Sequence, residues 1–268
     1  GGELSLYRAA GDAAPALVQY GHHKPVNALA FDPNANKLYS GSFDDATGTL
    51  RGILLGWDLA KGVAAPLAGE PHANGVMALA VCGNTIVSCA SDDHVCFSEP
   101  PNMGTKVAIG SCPLGMGATA SLVCVVTTLD KLVAFSVQKK ERVAEIKLPF
   151  SPSCVAVAPS DGLVAVGGED NIVHLLTPEG TEKHALARHR DKIAAVAFSP
   201  RSDRLASGCA NKEIVVWDPQ SGTPLVTGLQ GFHSARISCL AWSPDGGTLA
   251  SGGVDALIIV WNLEEKQA

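Results

Sequence analysis

Serine, histidine and aspartate recur together in this chain, and held close to one another they are the parts of an acyl-transfer site. The hydroxyl would attack, the imidazole would take its proton, and the carboxylate would fix the imidazole tautomer. The sets are His22, Ser40 and Asp44; His72, Ser88 and Asp92; His189, Ser207 and Asn211, with an amide in the carboxylate's place; and His233, Ser251 and Asp255. Serine precedes the acid or amide by four positions in each set, and histidine precedes it by 22, 20, 22 and 22. Two features turn the reading away from catalysis. A nucleophile site is built once, whereas this set recurs, and three copies carry a tryptophan that no triad needs: Trp57, Trp217 and Trp261. The same groups can instead close a chain of hydrogen bonds. A turn carboxylate accepts from one imidazole nitrogen, the other nitrogen takes the serine hydroxyl, and the serine oxygen accepts the indole N–H. The expectation is a series of structural pins and no catalytic residue.

Spacing this regular needs a repeated unit to hold it. Residues 233–262 show that unit most plainly: ISCLAW, a turn at SPDGG, TLASGG, a turn at Asp255, then LIIVWN. Residues 22–58, 72–98 and 189–218 repeat it, while 151–177 keeps Asp170 but has Ser151, Val166 and Leu176 where His, Ser and Trp would stand. Residues 105–137 retain only the strand-like runs SLVCVV and KLVAFSV. Beta-branched runs and Gly-Gly or Ser-Pro punctuation exclude a helical repeat. A small sheet that is apolar on both faces must stack on others like itself. The expected fold class is therefore all-β, a β-propeller with blades at about 22–59, 72–98, 104–137, 151–177, 189–219 and 233–263. Residues 1–20 read as the closing strand of a preceding blade, ELSLYR, and a linker. The six blades and this partial one are expected to belong to a seven-bladed ring, with chain missing upstream and the last piece beyond Ala268, and a ring closed by six blades is the alternative.

Composition agrees with this unit and removes several functions. Hydrophobic residues make up 46% of the 268, with 28 Gly and 16 Pro, which suits many short strands joined by turns. Twenty Lys and Arg against 26 Asp and Glu give a net charge of −6, so no general positive field gathers phosphates and nucleic acid is not an expected partner. The eight cysteines have no paired spacing and lie in runs such as IVSCAS and ISCLAW. They read as small buried thiols in a reducing cytoplasm, not as disulfides or zinc ligands. No run approaches the ~18 apolar residues of a membrane span, so no membrane insertion is expected. Phosphate loops, dinucleotide fingerprints, nucleophile elbows and zinc-binding His pairs are missing from the sequence. The expected innermost strands, NALAF, MALAV, CVAVA, AAVAF and SCLAW, carry no acid or histidine. No cofactor and no metal is expected.

Tryptophan is followed by aspartate at Trp57-Asp58 and Trp217-Asp218 and by asparagine at Trp261-Asn262. With the Ser-Gly-x-x-Asp phrase and the preceding histidine, these residues resemble the WD40 repeat family of β-propellers. The order GHHKPVNALAFDPNANKLYSGSFDD, VSCASDDHV, a weak blade, AVGGEDN, and CLAWSPD with SGG is similar to the carboxy-terminal propeller of the actin-interacting protein 1 family. That resemblance implies a non-catalytic, cytoplasmic, cytoskeleton-associated propeller with protein partners, actin and cofilin among them. It implies a part in disassembling cofilin-decorated actin filaments. The alternative is a general scaffold or adaptor subunit of a multiprotein complex, such as a ubiquitin ligase or a ciliary or trafficking assembly.

Loops that precede the inner strands are the natural contact surface. Arg188, Arg190 and Lys192, with Phe232 and Arg236, are candidate protein-binding residues because arginine and aromatic side chains anchor interfaces. Asp44 stands 13 positions before Trp57, against six from Asn211 to Trp217 and from Asp255 to Trp261. The seven extra residues align at 45–51. Leu50 and Arg51, with Phe43, read as a candidate partner-binding finger, and an idle surface insertion is the alternative.

Overall fold

A computed structural model describes residues 2–6, 17–44, 51–70, 72–229 and 231–263, and their regular structure is entirely β-strand. The first two strands, β1 (Gly2–Leu6) and β2 (Leu17–His22), pair with each other. The first full blade follows as β3 (Val26–Asp32), β4 (Lys37–Asp44), β5 (Arg51–Asp58) and β6 (Val63–Pro66). The second is β7 (Val76–Cys82), β8 (Thr85–Ala90), β9 (His94–Glu99) and β10 (Asn102–Ala108). The third is β11 (Pro113–Ala118), β12 (Leu122–Thr127), β13 (Lys131–Ser136) and β14 (Glu141–Lys147). The fourth is β15 (Pro152–Val157), β16 (Val164–Gly168), β17 (Ile172–Leu176) and β18 (Glu182–Ala187). The fifth is β19 (Ile193–Phe198), β20 (Leu205–Cys209), β21 (Ile214–Trp217) and β22 (Pro224–Leu229). The sixth has three strands among the described residues, β23 (Ile237–Trp242), β24 (Thr248–Gly253) and β25 (Ile258–Asn262). Strand order follows chain order throughout, so each blade is an antiparallel meander. The chain divides into two compact units, Gly1–Pro113 with Ser136–Arg142, and Leu114–Phe135 with Val143–Ala268.

Each apolar layer lies between two blades, which is why no blade is complete alone. Ala165, Val173, Leu175 and Leu186 of the fourth blade pack with Ile193, Leu205, Val215 and Trp217 of the fifth. Ala206, Ile214 and Val216 of the fifth pack with Ile237, Leu249 and Trp261 of the sixth. One device recurs in this stacking. The inner strands β3, β7, β15, β19 and β23 all shift register within their first three residues, a bulge that re-aims the first side chain. In β7, β19 and β23 that first residue is Val76, Ile193 or Ile237, each fully buried. Each lies over a glycine of the preceding blade. A Cβ on Gly41 would come within 2.4 Å of Val76, one on Gly167 within 2.6 Å of Ile193, and one on Gly208 within 2.7 Å of Ile237. The glycine at the second position of the Ser-Gly-x-x-Asp phrase, kept at Gly167 where Val166 replaces the serine and at Gly208 where Asn211 replaces the acid, is therefore a packing residue at these three joints.

Three local features depart from the sequence reading. Residues 17–22 form a strand and not a linker, since alternating Val18 and Tyr20 support a ladder to β1. Residues 104–108 end β10 and so close the second blade, and the third begins at Pro113. In the first blade the β4–β5 hairpin runs on past the Gly41↔Leu54 pair through Ser42↔Ile53, Phe43↔Gly52 and Asp44↔Arg51. Arg51 is thus the first residue of a strand and not part of a loop. Leu50 and the rest of 45–50 lie outside the described residues, as does the Asp44 side chain.

Candidate functional site

Histidine just before an inner strand and serine at the middle of the neighbouring strand come together because the antiparallel register sets them side by side. His72 and Asp92 show the carboxylate, imidazole and hydroxyl of the arrangement bonded together, in a blade that has no tryptophan at the pin. The His72 Nδ1–H donates to the Asp92 carboxylate at 3.0 Å, and the Ser88 hydroxyl donates to Nε2 at 2.8 Å. His233 repeats it, with Asp255 at 3.1 Å and Ser251 at 2.8 Å, and the Trp261 indole N–H donates to Ser251 Oγ at 2.9 Å. His22 and Trp57 both meet Ser40 Oγ at 2.7 Å. His189 and Trp217 meet Ser207 Oγ at 2.6 and 2.8 Å. All four serines are 0–1% exposed. The Ser40, Ser207 and Ser251 hydroxyls each meet both an imidazole and an indole, and Ser88 is equally buried against His72, so none is presented at the surface where a nucleophile would meet a carbonyl carbon.

The carboxylates of the complete pins also accept backbone donors. Asp92 takes the Ala73 N–H at 2.9 Å, and Asp255 takes Ser234 N–H at 2.7 Å and Leu257 N–H at 3.2 Å. Burial pushes the Asp92 carboxyl up, but the His72 hydrogen bond and charge and the Ala73 N–H outweigh it and hold it below the ordinary range. Burial likewise pushes Asp255 up, and Ser234, Leu257 and His233 together bring it down to about 2. Both carboxyls bind protons less readily folded than unfolded, so their stabilisation is complete above about pH 4 and is lost as pH falls through the folded values. The melting temperature is expected to drop between about pH 4 and pH 2, and Asp92→Asn is expected to remove part of that drop. An acid transition of unchanged size in the variant would show that the pin carries no such linkage.

Blade four and blade five each depart from the pin pattern. In blade four Asp170 accepts from His174 Nε2 at 3.0 Å, Glu182 accepts from Nδ1 at 2.6 Å, and Phe150 stacks on the imidazole with centroids 3.5 Å apart. This network escaped the sequence reading because His174 lies inside the third strand, at the place where the pinned blades carry Leu55, Cys96, Val215 and Ile259. In blade five Asn211 makes no hydrogen bond to His189 Nδ1. Glu213 stands 3.7 Å from His189 Nδ1, beyond hydrogen-bond reach, and that buried nitrogen has no hydrogen-bond partner. Burial, with the nearby Arg188 charge, brings the His189 imidazole down to about 4, so it is neutral at physiological pH. Glu213 could have been noticed two positions after the unusual amide.

The candidate contact residues separate into groups. Arg188 and Arg190 line a polar cleft of ≈ 290 Å³ with Asn211 and Glu213, and Phe232 borders a neighbouring one with Asn211, Lys212, His233 and Ser234. Phe232 is 67% exposed and meets Trp261 edge-on at 5.4 Å. Arg236 is exposed, whereas Lys192 reaches Glu169 at 3.7 Å. Phe43 is half-buried against Gly75, and Arg51 is exposed at the start of β5. The cysteines are free thiols. Cys82, Cys89, Cys96, Cys124 and Cys209 are buried, Cys112 and Cys154 are half-buried, and Cys239 is exposed, whereas Ala195 at the same place on β19 is covered in the layer shared with the sixth blade. No helix among the described residues is long and apolar enough to cross a membrane.

Comparison with known proteins adds to this geometry. The WD domain, G-beta repeat family matches residues 15–47, 180–218 and 222–262. A 66 kDa stress protein of Physarum polycephalum is 35% identical over 221 residues, covering 80% of this chain and 35% of that protein. Actin-interacting protein 1-2 of Arabidopsis thaliana is 30% identical over 228 residues, 81% of this chain and 36% of that protein. Actin-interacting protein 1 of Drosophila melanogaster is 27% identical over 239 residues, 87% and 38% of the two chains. The chain spans about a third of the length of the curated relatives it matches. Repeated pins, glycine-seated joints and matching repeats together make this chain a member of the WD40-repeat β-propeller family.

Proposed function

We infer that this chain is a non-catalytic protein-binding propeller that takes part in disassembling cofilin-bound actin filaments at the cytoskeleton. The observation that carries the reading is the likeness, over more than four-fifths of this chain, to relatives named actin-interacting protein 1. Exposed Arg190 and Phe232 on adjoining clefts supply the kind of anchors that such a surface uses. Arg188 lines the first of these clefts, while exposed Arg236 and the Phe43 and Arg51 pair are separate candidates.

Co-sedimentation tests this directly. The protein is expected to pellet with cofilin-decorated filaments more than with bare ones. Arg190→Ala combined with Phe232→Ala is expected to weaken that binding by at least about fivefold without shifting the melting temperature. A protein that stays in the supernatant with both kinds of filament would overturn the actin reading. Undiminished pelleting of the double variant would instead remove this surface from it.

A further inference from the structure

The geometry points to a divalent transition-metal site of the zinc class at His189, Cys209 and Glu213, with the solvent cleft supplying the remaining ligand. One donor atom from each of these side chains lies within 4.8 Å of the others. Cys209 ends β20 and Glu213 stands just before β21, and the Cys209 N–H to Glu213 carbonyl bond of 3.1 Å closes the turn between them. His189 enters from the loop before β19. Its side chain is fully buried, with Nδ1 aimed at Glu213 and without a hydrogen-bond partner.

The departure from the complete pins gives this cluster its meaning. In blades two and six an aspartate occupies Nδ1 of the corresponding histidine. In blade five Asn211 stands at that position, Nδ1 is open, and a thiol and a carboxylate converge beside it. The other ring nitrogen is tied to Ser207 at 2.6 Å, which sets the orientation of the ring as an outer partner does for a metal-bound imidazole. Nitrogen, sulfur and oxygen donors suit zinc and its borderline-soft neighbours and not magnesium or calcium. A thiolate and a carboxylate together cancel the charge of a divalent ion. Arg188, 4.0 Å from Glu213, then faces a neutral centre and is no obstacle. Three protein ligands beside the cleft lined by Arg188, Arg190, Asn211 and Glu213 leave a position open to water.

Zinc and cobalt added to the metal-free protein test the assignment. One ion is expected to bind per chain, zinc is expected to raise the melting temperature, and cobalt is expected to give a thiolate-to-metal charge-transfer band. Cys209→Ser should abolish that band, and Glu213→Gln should keep it while weakening affinity by at least about tenfold. Absence of binding overturns the site. So does a full band and unchanged affinity in Cys209→Ser, which would hand the metal to other cysteines. Should Cys209→Ser fail to fold, Glu213→Gln decides alone, and zinc affinity equal to that of the parent overturns the proposal. None of these readouts involves actin, so the result is independent of the proposed function.

Discussion

Replacing Trp217 with alanine is expected to destabilise the protein by about 3–5 kcal/mol, because a fully packed indole leaves a cavity that β-ladders on both sides cannot close. Trp217 is 3% exposed and lies in the layer with Leu186, Ile193, Leu205 and Val215, so both the fourth and fifth blades lose contacts. Its N–H also donates to Ser207 at 2.8 Å. Trp217→Phe separates the two contributions. It keeps most of the apolar bulk and loses the hydrogen bond, at an expected cost of about 1 kcal/mol. In thermal melts the alanine variant should fall by on the order of 10 °C and the phenylalanine variant by much less. Equal losses in the two variants would mean that the hydrogen bond, and not the packing, holds this layer.

The joint between blades five and six should show strong coupling in a double-mutant cycle. Gly208→Ala places a methyl 2.7 Å from Ile237 Cγ2 and 3.0 Å from its Cβ, both on a fully buried residue, so one strand must shift. The expected cost is about 1–3 kcal/mol. Ile237→Ala opens a cavity at the same place, at about 2–5 kcal/mol. The added methyl partly fills the space that the isoleucine vacates. The double variant is therefore expected to cost at least about 1 kcal/mol less than the sum of the single ones. Additive losses in denaturant unfolding would show that the two positions do not share that space.

These two experiments probe residues that were visible in the sequence to different degrees. Trp217 and Ser207 could be paired from spacing alone, since they repeat the ten-residue interval of Ser251 and Trp261. Gly208 could be recognised as part of a phrase, but the phrase does not say why glycine stands there. A turn glycine answers to backbone conformation, whereas Gly208 answers to Ile237 in the next blade, a contact made by stacking. The strand at 17–22 was missed for a related reason. Its polar and glycine-containing residues look like a loop until β1 provides a ladder to pair with.

By itself the sequence determined the all-β class, the repeated unit and the positions of the serine–histidine pairs. Strand alternation, turn residues and constant intervals are local properties, written into consecutive residues. The tertiary structure alone decided what meets across strands and between blades. It set Glu213 and Cys209 beside His189, brought Asp170 to His174 instead of to a pin, carried Arg51 onto an extended hairpin, and left Cys239 exposed on the sixth blade. Each of those outcomes depends on register or on blade stacking. A shift of one residue in register exchanges every neighbour on a face, so such pairings exist only once the hydrogen-bond ladders and the packed layers have formed.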